Sequence, residues 1–170
     1  NTWREIELDG FAATAIKFFD SRHGWIAGHR CEPPVEGGGF GCGSRTMALF
    51  RTKDGGTTWD RVGEGASYRD LAFTSEEDGW AIRSACLSPF ETQCSSSVAV
   101  THDGGESWED LRSVPVAFAF NQLSMWADDA VLVHENYCDV VQTNGECVNH
   151  LIETTDGGAT WSTQIVAGFE

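Results

Sequence analysis

Thr101-His102-Asp103-Gly104-Gly105-Glu106-Ser107-Trp108 decides the reading of this chain, because the run occurs three times. The other copies are Thr52-Lys53-Asp54-Gly55-Gly56-Thr57-Thr58-Trp59 and Thr154-Thr155-Asp156-Gly157-Gly158-Ala159-Thr160-Trp161. Asp-Gly-Gly between two β-rich runs predicts a hairpin turn. The glycines can take positive φ, and the aspartate can accept hydrogen bonds from N–H groups just beyond it. The Thr or Ser before each tryptophan restarts a strand. The tryptophan brings a large apolar surface to bury against a neighbouring sheet.

A second element recurs upstream of each turn. It reads Ile16-Lys17-Phe18-Phe19-Asp20-Ser21-Arg22-His23-Gly24-Trp25 in the first copy and Leu71-Ala72-Phe73-Thr74-Ser75-Glu76-Glu77-Asp78-Gly79-Trp80 in the second. The third copy, Leu123-Ser124-Met125-Trp126-Ala127-Asp128-Asp129-Ala130-Val131-Leu132-Val133, is degenerate. There Ala130 stands for the aromatic, and the packing is expected to differ. Each copy reads as strand, polar turn, strand. In the first repeat the four strands are expected near 13–19, 25–30, 45–52 and 58–62. No segment keeps a helical period. The repeat tryptophans are 49 and 53 residues apart, which suits a blade of a β-propeller. The fold class is therefore all-β, with three four-stranded antiparallel blades in one segment, 1–170. Their expected bounds are about 11–62, 67–111 and 116–166, with an extra strand at 1–8.

These motifs resemble the Asp-box, or bacterial neuraminidase repeat, propellers. The pairing of the Gly-Trp element with the Asp-Gly-Gly-x-Thr-Trp turn is most like the photosystem II assembly and stability factors and their non-photosynthetic relatives. The opening Thr2-Trp3-Arg4-Glu5-Ile6-Glu7-Leu8 is similar to that family's first strand. The turn is specific for fold and not for function, since sialidases, xyloglucan-degrading hydrolases and sortilin-type receptors share it. The resemblance gives Asp54, Gly55, Gly56, Trp59, Asp103, Gly104, Gly105, Trp108, Asp156, Gly157, Gly158 and Trp161 structural roles. It also implies that these turns lie on the face opposite the loops joining second and third strands.

The six cysteines fall in register with the repeat: Cys31 and Cys42, Cys86 and Cys94, Cys138 and Cys147. Their intervals are 11, 8 and 9 residues, and none has zinc-finger or redox spacing. Six cysteines allow 15 connectivities, and the common place of each pair selects disulfides within each blade. Such bonds point to an oxidising, extracytoplasmic compartment. The loops they close, 32–41, 87–93 and 139–146, are either the binding face or merely stapled hairpins.

Net charge is −15, which repels nucleic acid and anionic membrane surfaces. It equally serves solubility. No run of 18 apolar residues occurs, so no membrane insertion is expected. The start at Asn1-Thr2-Trp3 reads as that of a processed or excised chain.

No catalytic set assembles. A sialidase needs an arginine triad and a tyrosine nucleophile, yet Tyr68 and Tyr137 are the only tyrosines. A glycan hydrolase needs two facing carboxylates; Glu32, Glu36, Asp139 and Glu146 could form such a pair or be solvated surface. Ser75-Glu76-Glu77-Asp78 and Asp128-Asp129 gather oxygen donors without matching a calcium loop. The histidines lack paired ligand spacing, so neither metal nor cofactor is assigned. Trp25, Trp59, Trp80, Trp108 and Trp161 recur at repeat positions and are expected in the core, not on a sugar platform.

The expectation is a non-catalytic, extracytoplasmic interaction or scaffold module. Three blades do not close a ring, so a protein partner or a second copy is expected to complete it. The alternative is a fragment of a glycan-binding or glycoside-hydrolysing propeller.

Overall fold

The computed structural model describes residues 5–32, 44–64, 66–85, 95–111, 120–127, 129–138 and 147–166. They form three four-stranded antiparallel sheets. The first holds β1 (Ala12–Phe18), β2 (Gly24–Glu32), β3 (Ser44–Thr52) and β4 (Asp60–Glu64). The second holds β5 (Ser67–Phe73), β6 (Gly79–Ala85), β7 (Ser95–Thr101) and β8 (Glu109–Asp110). The third holds β9 (Phe120–Ala127), β10 (Ala130–Cys138), β11 (Cys147–Thr154) and β12 (Ser162–Val166). Each sheet is a simple meander in sequence order. Among the described residues no helix is long and apolar enough to cross a membrane.

The sheets follow one another, with β1 against β5 and β5 against β9. Strand alternation sends one face of each sheet to its predecessor and the other to its successor. Trp25, Ala27 and Leu49 leave the first sheet to meet Ala66, Tyr68, Leu71 and Ala81 of the second. Trp80, Ile82, Val98 and Val100 leave the second to meet Leu123, Val131, Val133 and Ile152 of the third. A third cluster lies on the far side of the first sheet, where Phe11, Ala48 and Phe50 gather Leu8 and Trp59.

Two expectations are corrected. Residues 5–8 are irregular and not a strand, while 1–4 lie outside the described residues. Asp9 and Gly10 both take positive φ, and the Phe11 N–H bonds the Leu8 carbonyl. This turn lays Leu8 onto the sheet face beside Phe11. The second correction concerns Ala130. Trp25 and Trp80 stand opposite the residue before the turn threonine, Arg51 and Val100. In the third sheet that place belongs to Leu132, opposite Glu153. An irregularity between Ala130 and Val131 shifts the register, which sequence alignment could not see.

The same shift explains how the third sheet packs differently. Phe18 lies opposite Gly24, and a Cβ on Gly24 would stand 2.7 Å from its ring. Phe73 sits over Gly79 in the same way. Met125 and Val131 replace that large–small pair in the third sheet.

Candidate functional site

The three Asp-Gly-Gly turns have one geometry. Both glycines of each turn have positive φ, between 69° and 94°, a region that L side chains avoid. The threonine opening each turn, Thr52, Thr101 or Thr154, is buried. Its hydroxyl donates to the aspartate Oδ1 at 2.8–2.9 Å and accepts the second glycine N–H at 2.9 Å. Asp54 Oδ1 also accepts the Thr58 N–H at 2.8 Å, and its Oδ2 accepts the Thr58 hydroxyl at 2.7 Å. Ser107 and Thr160 repeat these bonds to Asp103 and Asp156.

Hydrogen bonds to the charged form lower a carboxyl pKa. The Thr58 N–H and hydroxyl hold Asp54 at about 2, and the Thr160 hydroxyl and N–H do the same for Asp156. For Asp103 partial burial is the largest single influence and pushes upward. The Ser107 and Thr101 bonds outweigh it and leave the group at about 2. All three aspartates are thus locked ionised inside their own turns, with their oxygens engaged locally.

Each turn is tied to the first hairpin of its own sheet. Gly55 N donates to Arg22 O, Gly104 N to Glu77 O and Gly157 N to Asp129 O, at 2.8–2.9 Å. The turns therefore share one end of the sheets with the first hairpins. Cys31 and Cys138 lie at the other end of β2 and β10. Cys31 is disulfide-bonded. Cys138 stands directly opposite Cys147 across β10 and β11. Cys42, Cys86, Cys94 and nearly all of the loops at 32–41, 87–93 and 139–146 lie outside the described residues.

The aromatic residues of the turns face backward along the sheet series. Trp108 lies 5.6 Å from Tyr68 and 6.1 Å from Phe73 between ring centroids. Trp161 meets Trp80 edge-on at 6.3 Å. Their indole N–H groups donate to Gly105 O and Gly158 O. Trp59 meets Phe18 edge-on at 6.1 Å. Its buried N–H has no hydrogen-bond partner among the described residues.

The boundary between the first two sheets is the most chemically organised region. Trp25 stacks on Phe73 with ring centroids 3.5 Å apart and planes 2° from parallel. Its N–H donates to Gly104 O at 2.9 Å. Lys17 pairs with Asp70, Arg51 with Glu106, and His23 and Lys53 both with Glu76. Asp70 is buried on β5 and also accepts the Leu123 N–H of the third sheet at 2.9 Å. This carboxylate joins all three sheets, a role the sequence reading missed. Its signal was a lone acid within Tyr68-Arg69-Asp70-Leu71-Ala72-Phe73 together with one of only two lysines.

Two carboxylates of the first hairpins, Asp20 and Asp78, are engaged within their own sheets. The Ser75 hydroxyl donates to Asp78 Oδ2, and His102 contacts Asp78 Oδ1 and lowers its pKa. The His23 ring, followed by backbone N–H groups, holds Asp20 at about 2. Among the described residues no three His, Cys, Asp or Glu side chains gather as metal ligands.

No protein-family model and no curated protein sequence matches the chain. Among solved structures it is similar to a GH74 enzyme of Niastella koreensis, a glycoside hydrolase with a β-propeller fold. The likeness has a TM-score of 0.53 at 13% identity and covers 84% of this chain. The chain spans 20% of that enzyme's length. At this identity the likeness speaks to fold alone, and it agrees with an all-β, propeller-like arrangement of sheets.

Proposed function

We propose that the three sheets are Asp-box propeller blades and that the chain is a non-catalytic, extracytoplasmic interaction or scaffold module. The observation that carries this reading is a partly uncovered face on the first blade, where Leu8 and Phe11 cover Phe50 but Ile16 and Phe18 stay exposed. Ile16, Leu71 and Leu123 hold equivalent places on β1, β5 and β9, yet Ile16 is 55% exposed against 0% and 5%. Exposed apolar faces mark association sites. The Asp-box carboxylates are consumed by their turns, which argues for a structural role and against acid–base work. Disulfides pairing Cys31 with Cys42, Cys86 with Cys94 and Cys138 with Cys147 would staple the loops at the opposite end. Residues facing each other on antiparallel strands have Cα atoms about 4.5–5.5 Å apart, within the range a disulfide spans, so Cys138 and Cys147 are well placed.

A second reading is favoured by the likeness to a glycoside hydrolase: a blade set from a glycan-binding or glycan-hydrolysing propeller. Two measurements separate the readings. Sedimentation at low micromolar concentration is expected to show association, or a monomer that binds a hydrophobic dye. A well-folded 18.6 kDa monomer that binds no dye would overturn the interaction reading. Binding on a glycan array, or hydrolysis of a polysaccharide, would favour the second.

A further inference from the structure

What covers the equivalent faces inside the chain tells what fits the uncovered one. The second sheet receives Trp25 from the first, stacked on Phe73 with its N–H on Gly104 O. On the first sheet the matching places are Phe18 and Gly55. Phe18 is 46% exposed, and Gly55 is exposed where Gly104 is buried. The Phe18 ring is already fixed, seated over Gly24 and edge-on to Trp59.

We propose that the outer face of the first sheet is a docking surface for one further four-stranded sheet of the same repeat. That sheet starts its second strand with Gly-Trp and lays the indole on Phe18 with its N–H toward the Gly55 carbonyl. The proposal rests on reading the sheets as propeller blades and names the partner that reading leaves open.

The third sheet of a second copy is not this occupant. Its register puts Leu132 where the indole is needed, and leucine has no N–H to donate. Size and charge narrow the choice further. Where the second sheet sets Ala66 and Ala81 in one cluster with Leu49, the first has the larger Phe11 and Ile26 at the matching places. The occupant therefore carries a smaller residue than leucine there. The second sheet answers Lys17, Arg51 and Lys53 with Asp70, Glu106 and Glu76. The first sheet has Ala15, Thr57 and Ser21 at those places, so the occupant brings no cations. The successor-facing side of the second sheet already has this pattern, with Trp80, Val98, Val100 and Ala72.

Free indole is the first probe. Titrated into the isotopically labelled chain, it is expected to shift the amide resonances of Phe18, Gly55, Gly56 and Trp59. Phe18→Ala should abolish those shifts while leaving the fold intact by circular dichroism. The second probe is Leu132→Trp, which supplies the missing indole at the far end of the series. It should tighten self-association roughly tenfold, the scale of one aromatic pair with its area, and Phe18→Ala in the same chain should reverse the gain. Indole shifts that spread elsewhere or survive Phe18→Ala would overturn the proposal. So would a folded Leu132→Trp chain with no gain, or wild-type self-association that depends on Phe18. The indole titration decides if Leu132→Trp does not fold. Polysaccharide hydrolysis would sink the interaction reading without touching the indole result, so the two failures are distinguishable.

Discussion

The boundary between the first and second sheets and the boundary between the second and third occupy equivalent places in the repeat but are held differently. The former combines a parallel Trp25–Phe73 stack, an indole-to-carbonyl bond and ion pairs from Lys17, His23, Arg51 and Lys53. The latter is an apolar cluster of Trp80, Ile82, Val98, Val100, Leu123, Val131, Val133 and Ile152. Of described side chains, Asp70 adds a polar link to the third sheet through the Leu123 N–H. The third sheet has no lysine or arginine to offer, because none follows Arg112. Among the described contacts the first boundary is thus rich in ion pairs and the second in apolar area, and the difference is made by a few substitutions at fixed positions.

The largest expected effect tests the directed boundary. Trp25 is wholly buried, and Trp25→Ala should cost about 3–5 kcal/mol in denaturant unfolding, as for other buried aromatics. Trp25→Phe keeps a ring on Phe73 and loses the bond to Gly104 O, and leaving that carbonyl unmet should cost about 1–3 kcal/mol. If the two variants cost the same, the stack contributes little and the hydrogen bond carries the boundary. Trp80→Ala should be comparable to Trp25→Ala, with m unchanged in both. A much smaller loss would mean that the apolar cluster repacks around the cavity.

The carboxylates of the Asp-Gly-Gly turns come next. Asp103 lies beside the directed boundary, where the Arg51 guanidinium also donates to its backbone carbonyl at 3.3 Å. Asp103→Ala should cost about 1–3 kcal/mol through unmet Ser107 and Thr101 groups. Asp54→Ala removes the same bonds at the uncovered face, where water reaches the freed donors, and should cost less. Equal losses would show that the neighbouring sheet adds nothing to the turn. The same groups set the acid limb of stability. Their folded pKa of about 2 lies below the ordinary aspartate value of 3.8, so the unfolded chain binds protons first as pH falls. Their contribution is complete above the unfolded value, declines between about pH 4 and pH 2, and is gone below that. A melting temperature flat from pH 5 to pH 2 would contradict the assigned bonds.

The turns and strands were legible because each uses local chemistry. Asp-Gly-Gly fixes its own φ angles, and alternation marks the strands. The first sheet's strands all fall within two residues of expectation, and β4 starts two residues late, at Asp60, because Thr58 is spent on Asp54. What was not legible depends on neighbours. The irregularity at Ala130 and Val131 moves Leu132 into the tryptophan place, and no residue pattern announces it. Asp70 looked like one acid among 26. Only the approach of β1 and β9 to β5 turns it into a link among three sheets.

The smallest expected effect concerns the ion pairs, which look like the defining feature of the first boundary and should contribute least. Arg51 Nη2 lies 3.2 Å from Glu106 Oε1, but the glutamate side chain is largely exposed. Pairs of this kind are worth about 0.2–1 kcal/mol, because water and salt screen the attraction and two long side chains must be held still. A double-mutant cycle with Arg51→Met and Glu106→Gln should return a coupling in that range, falling toward zero at 1 M salt. The single Arg51→Met change should cost more than the coupling, because the guanidinium also contacts the Asp103 carbonyl. Trp25, its stack and its bond would then fix the boundary, with the charges selecting which sheet lies beside which. A coupling above about 2 kcal/mol, beyond the range for exposed pairs, would reverse that ranking. It would make the charged rim, and not the indole, the main determinant of what the first sheet accepts on its successor side.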